Sequence, residues 1–120
     1  MRVLIVDDSR AMRMIIRRSI RQAGLGQHEF LEASTGNEAI DQILALKPDV
    51  VMADWNMPEM SGLELLQNLA DLPFDGVFGF ITSESTDVMR SQALDAGAQF
   101  FVTKPFSGTS LKRALGPWLN

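Results

Sequence analysis

Three carboxylates stand where an apolar run would not be expected to admit charge: Asp7 and Asp8 follow "RVLIV", and Asp54 follows "DVVMA". Two more apolar runs, "VFGFI" and "QFFVT", lead into hydroxyl and ammonium groups, Thr82 with Ser83 and then Lys104. If these runs are neighbouring strands, three anions meet at one edge and repel. A hard divalent cation would let all three stay ionised. With so few protein ligands the cation would be Mg²⁺, which takes one or two carboxylates and keeps several waters. Each residue alone has a plainer explanation: Asp7, Asp8 and Ser9 can cap a helix, Asp54 can open a turn before Pro58, and Lys104 can be a surface charge. Five such accidents at the ends of four strands that share one edge make the weaker explanation.

The elements that would position these groups follow from periodicity. The four runs are short, nearly all apolar and rich in β-branched or aromatic residues, as buried parallel strands are, and "HEFLEA" is a weaker fifth. Between them lie helical stripes. Met12, Ile15, Ile16, Ile20 and Ala23 mark the first, with Ser9 to cap its start and Gly24 its end. Ala39, Ile40, Ile43 and Leu44 mark the second, and Leu63, Leu66 and Leu69 the third. A weakly periodic helix runs from Thr86 to Ala96, and Leu111, Ala114, Leu115 and Trp118 mark the last. Pro117 should end or kink that helix near Gly116. Gly79 interrupts the fourth strand, where the large neighbours Phe78 and Phe80 are expected to take up the space.

Strand and helix thus alternate five times, which predicts a doubly wound α/β fold over residues 1–120, a five-stranded parallel sheet with helices on both faces, and the flavodoxin-like order 2-1-3-4-5 is the one that makes the first and third strands neighbours. Such sheets work at the carboxyl ends of their strands, where the winding direction reverses. All the residues singled out above fall there.

Composition narrows the function further. The chain has no cysteine, which excludes a disulfide scaffold and a Cys-ligated zinc site, and its one histidine, His28, argues against a histidine-built metal site or a Ser-His-Asp triad. No stretch is long enough for a membrane span, and "MRVLIVDD" meets acid too early for a secretory signal, so a cytoplasmic protein is expected. The net charge of −4 argues against nucleic acid as a partner. Five of the 11 basic residues, Arg10, Arg13, Arg17, Arg18 and Arg21, fall in the first helix, leaving six to face 15 acidic residues in the rest of the chain. That stripe is either a solvated face or a docking surface for an acidic partner.

The order and spacing of "VDDS", "DWNMPEMSG", "ITSE" and "TKPF" resemble the receiver domain of two-component response regulators along the whole chain. The stretch "DWNMP", the short chain and the lack of an output domain make it most similar to the single-domain chemotaxis receivers within that family. The resemblance implies that Asp54 accepts a phosphoryl group from a histidine kinase or phosphotransfer protein. It implies Mg²⁺ on Asp8, Asp54 and the Asn56 backbone carbonyl, with Asp7 behind them. Lys104 would pair with the phosphoryl oxygens, and the Thr82 hydroxyl would move to bond them. Asn56 and Glu84 would tune the lifetime of the acyl phosphate, and Lys104-Pro105 would be cis. The arginine stripe would help to dock the phosphodonor. Such a protein is a regulator acting on a downstream target, not an enzyme with a separate substrate.

At the family's switch aromatic this chain has Phe101, where chemotaxis receivers usually offer tyrosine, so the ring can swing but has no hydroxyl for a target. Two other functions share parts of the pattern. A flavodoxin-like flavin binder would need a phosphate cradle where this chain has "DDSR", which would repel it. An aspartate-based Mg²⁺-dependent phosphatase would carry its general acid two residues after the nucleophile, where this chain has Asn56.

Overall fold

A computed structural model describes residues 1–119. Strands β1 (Arg2–Val6), β2 (Glu29–Ala33), β3 (Val50–Ala53), β4 (Val77–Thr82) and β5 (Phe100–Thr103) alternate with helices α1 (Arg10–Gln22), α2 (Gly36–Leu46), α3 (Gly62–Leu69), α4 (Asp87–Asp95) and α5 (Gly108–Leu115). All the strand pairs are parallel and their order is β2-β1-β3-β4-β5. The sheet is therefore the doubly wound one expected from the alternation of apolar runs and helical stripes.

Strand periodicity divides the core in two. Leu4, Val6, Val51, Ala53, Phe78 and Phe80 point to one face, where α2, α3 and α4 cover them; Val3, Ile5, Val50, Met52, Ile81 and Val102 point to the other, covered by α1 and α5. Both faces are buried, which is why the strands read as continuous apolar runs.

Helix boundaries follow local chemistry. Ser9 Oγ accepts the Met12 N–H at 3.1 Å and so caps α1. Beyond Ala23, Gly24 takes a φ of 73° while its N–H donates to Arg21 C=O and the Leu25 N–H donates to Ile20 C=O, the paired bonds of a Schellman stop. Pro117 has the expected effect: α5 ends at Leu115.

Three expectations about packing are corrected. Trp118 is not helical; it lies in the turn after α5, partly buried against the α1 and α5 core. Ile15 and Leu44 sit at the flanks of their stripes and are exposed, whereas Leu65, one residue off the predicted Leu63-Leu66-Leu69 stripe, is fully buried. The space at Gly79 is filled by Phe100, not by Phe78 and Phe80. Those two neighbours point to the opposite face, and a Cβ on Gly79 would collide with the Phe100 ring of the adjacent strand.

Candidate functional site

Register brings the acidic residues together. Val6 pairs with Ala53 on adjacent strands, so Asp7 and Asp54 are the next residues off β1 and β3. The Asp54 N–H donates to Val6 C=O at 2.9 Å, and the Asp7 N–H to Ala33 C=O at 3.1 Å, extending the ladders one residue past the strands. One carboxylate oxygen from each of Asp7, Asp8 and Asp54 lies within 4.8 Å of the others. Asp7 is 2% exposed, Asp54 is partly buried and Asp8 faces solvent.

Lys104 closes the cluster from the far side. Its N–H donates to Thr82 C=O at 2.8 Å, prolonging the pairing of Thr82 with Thr103, and the next peptide, Lys104-Pro105, is cis. From there Nζ reaches Asp7 Oδ2 at 3.0 Å and Asp54 Oδ2 at 3.4 Å. One ammonium among three carboxylates leaves the site net negative. Asp54 Oδ1 is buried and, among the described residues, has no hydrogen-bond partner. A buried orphan acceptor is costly unless something satisfies it. Hard oxygen donors, uncompensated negative charge and this orphaned oxygen together fit a divalent cation of the Mg²⁺ type.

The loop after β3 is drawn tightly over the site. The Gly62 N–H donates to Trp55 C=O at 2.8 Å, and any Cβ on Gly62 would strike the Asp54 carbonyl oxygen and the Phe80 ring. That is the close approach for which a glycine is required. Within the loop, Met57 and Met60 are partly buried against the core on the α2–α4 side, while Asn56 and Pro58 are exposed.

On the other flank, Thr82 is fully buried and its Oγ1 accepts the Glu84 N–H at 3.4 Å, so the hydroxyl is held by its own strand-to-helix turn. Glu84 is exposed at the mouth of the crevice. Phe101 stands partly buried in an aromatic row, 5.9 Å from Phe80 and 6.4 Å from Trp55, with the Arg90 guanidinium 4.7 Å above its ring. Arg90 also donates to Ser85 Oγ and to Thr103 Oγ1, both at 3.0 Å.

The arginine stripe divides. Arg13 Nε meets Glu32 Oε1 at 2.8 Å and Arg17 Nη1 meets Glu32 Oε2 at 3.4 Å, while Arg21 stacks over Phe30. Arg10 and Arg18 remain exposed, so a surface of five free arginines is not present. The sequence offers Arg13 only as one of the docking stripe, not as a partner of the Asp7 carbonyl, and does not single out Arg90. A visible clue for Arg13 is Glu32, a carboxylate inside the weak strand "HEFLEA" that needs a cation beside it.

Among the described residues no helix is long and apolar enough to cross a membrane. Residues 3–116 match the response regulator receiver domain. The chain is 36% identical to the chemotaxis protein CheY of Thermotoga maritima, covering 95% of this chain and 93% of that one. It is 39% identical to the chemotaxis protein CheY1 of Helicobacter pylori strain J99, covering 96% and 94%. Chemotaxis protein CheY4 of Vibrio cholerae superposes with a TM-score of 0.84 at 28% identity, over 98% of both chains. Strand order, a carboxylate cluster at the end of the sheet and these similarities lead to one conclusion: the chain belongs to the response regulator receiver domain family, a family of signalling regulators.

Proposed function

We propose that the domain is a cytoplasmic phosphoacceptor and that Asp54 is the residue phosphorylated. The observation that carries this reading is the Asp54 carboxylate itself, with one oxygen on Lys104 and the other buried without a partner. An Asp54 oxygen attacks the phosphorus of a phosphohistidine on a histidine kinase or phosphotransfer protein. The P–O bond forms as the P–N bond breaks, and the imidazole nitrogen leaves with the electron pair and takes up a proton. Phosphoryl transfer has a loose transition state with charge spread over its oxygens, so the protein mainly supplies position and positive charge. Asp8, Asp54 and the Asn56 carbonyl would hold Mg²⁺, with Asp7 behind them, and that ion would contribute charge opposite the phosphoryl oxygens. Lys104, already between Asp7 and Asp54, turns its ammonium to the same oxygens.

The Thr82 hydroxyl leaves the Glu84 N–H to bond the new phosphoryl group, and Phe101 repacks into the space released. The exposed side chains of Asn56 and Glu84 flank the approach of water and set how long the acyl phosphate lasts. Similarity to CheY proteins supports a place in chemotaxis, with a downstream protein reading the repacked surface.

Acetyl phosphate with Mg²⁺ tests this reading without a kinase. A single phosphoryl adduct at Asp54, lost in Asp54→Asn and in EDTA, is the expected result. An adduct of equal yield in Asp54→Asn would assign the acceptor elsewhere.

A further inference from the structure

Asp7 is held at every polar atom. Its N–H donates to Ala33 C=O at 3.1 Å, Oδ1 accepts the Ser9 N–H at 2.9 Å and Oδ2 accepts Lys104 Nζ at 3.0 Å. Its carbonyl accepts Arg13 Nη1 at 2.6 Å. Asp8 is the opposite case: its side chain is exposed, and among the described residues it has no side-chain hydrogen bond. With no contact to hold the Asp8 carboxylate, what places its Cα–Cβ bond at the cluster is its backbone, and the peptide plane that leads into Asp8 carries the carbonyl on which Arg13 sits.

We propose that Arg13 is a positioning residue for the metal-binding carboxylates, fixing the Asp7-Asp8 peptide so that Asp8 points into the cluster. The proposal rests on the reading of that cluster as an Mg²⁺ site. Arg13 suits the task because its side chain is 13% exposed and its planar fork reaches two acceptors at once, the Asp7 carbonyl through Nη1 and Glu32 Oε1 through Nε. Glu32 is in turn anchored: it meets Arg17 Nη1 at 3.4 Å, and its own carbonyl accepts Gln42 Nε2 at 2.6 Å. The acid also neutralises the guanidinium. An unpaired cation beside a site meant for a divalent ion would oppose binding, whereas Glu32, shared at 2.8 Å with Arg13 and at 3.4 Å with the more exposed Arg17, offsets most of the Arg13 charge and holds the donor rigid. A lysine could not replace it, because a single ammonium on a flexible stem lacks the fork that spans both acceptors. Groups that orient metal ligands typically matter to affinity by tenfold or more when removed.

The test is the Mg²⁺ dissociation constant, read from Trp55 fluorescence in a Trp118→Phe background and checked by calorimetry, with thermal stability measured in EDTA alongside. Arg13→Ala and Arg13→Lys are both expected to weaken Mg²⁺ binding by about tenfold. Arg17→Ala, which removes a partner of Glu32 without touching Asp7, should stay within about twofold of the parent on the same scale. Amide NMR shifts of Asp8 and Ser9 in EDTA should move in Arg13→Lys and not in Arg17→Ala. Should Arg13→Ala fail to fold, Arg13→Lys decides by both readouts. Arg13 variants that melt earlier yet bind Mg²⁺ like the parent would make the residue a structural brace and overturn the proposal. A parent protein that binds no Mg²⁺ would instead remove the metal site itself, and both readings with it.

Discussion

The two flanks of the crevice are built differently. At the β1-β3 end, Asp7 is buried with every polar atom bonded, α1 seats Ile16 and Ile20 in the core, and Gly62 clamps the following loop against the Asp54 carbonyl. At the β4-β5 end, α4 places Ala93 in the core while Val88 and Leu94, each 67% exposed, face solvent. Its ties to the sheet include one exposed guanidinium, that of Arg90, on Ser85, Thr103 and the Phe101 ring. Catalytic groups need fixed geometry, and moving parts are drawn from the less stable end of a structure. Under the proposed function, the difference fits chemistry at the first flank and conformational response at the second.

Lys104 joins the two, and its removal should have the largest effect. Under the proposed function, Lys104→Met takes away the cation that would face the phosphoryl oxygens, so labelling by acetyl phosphate should slow on the order of 100-fold. Because the same ammonium competes for Asp7 and Asp54, Mg²⁺ should bind the variant more tightly than the parent. Weaker Mg²⁺ binding in Lys104→Met would mean that the lysine shapes the cluster as well as neutralising it.

Two glycines sharpen the contrast. Gly62→Ala drives a methyl group into backbone at the site, a collision that cannot relax by rotating a side chain, and should cost about 3 kcal/mol together with most Mg²⁺ binding. Gly79→Ala meets the buried Phe100 ring, which would have to move as a whole, and should cost about 2 kcal/mol with Mg²⁺ affinity unchanged. Urea unfolding and the Trp55 titration measure both. Equal loss of Mg²⁺ binding in the two variants would show that the flanks are not mechanically separate.

The smallest effect belongs to Arg90. Its contacts are exposed, so Arg90→Ala should lower stability by less than about 1 kcal/mol. Labelling of Asp54 by acetyl phosphate should proceed at least as fast as in the parent, since under the proposed function the helix it restrains is the part that moves. Labelling slowed tenfold would place Arg90 in the acceptor site instead.

The site was legible in the sequence to the extent that it consists of strand ends. A carboxylate that closes an apolar run is conspicuous, and in the flavodoxin-like order those runs are neighbours, as the sheet has them. Arg13 was hidden because its partners, the Asp7 carbonyl and Glu32, come from two other elements, and an arginine on a helix looks the same whether it meets solvent or backbone. The filling of Gly79 was misread for a different reason. Phe78 and Phe80 are adjacent in sequence, yet strand periodicity sends them to the opposite face, and only the register with β5 shows Phe100 across from the glycine. Trp118 kept the helical spacing of its stripe, but Pro117 had already ended the helix.

Hydrogen exchange in the presence of Mg²⁺, with and without beryllofluoride as the phosphoryl mimic, tests the division of labour most directly. Amides of β1 and β3 should be protected alike in both states, and those of residues 83–101 should change, with the turn at Ser85 and the first turn of α4 changing most. Changes centred on β1 and α1, with α4 unaltered, would contradict it.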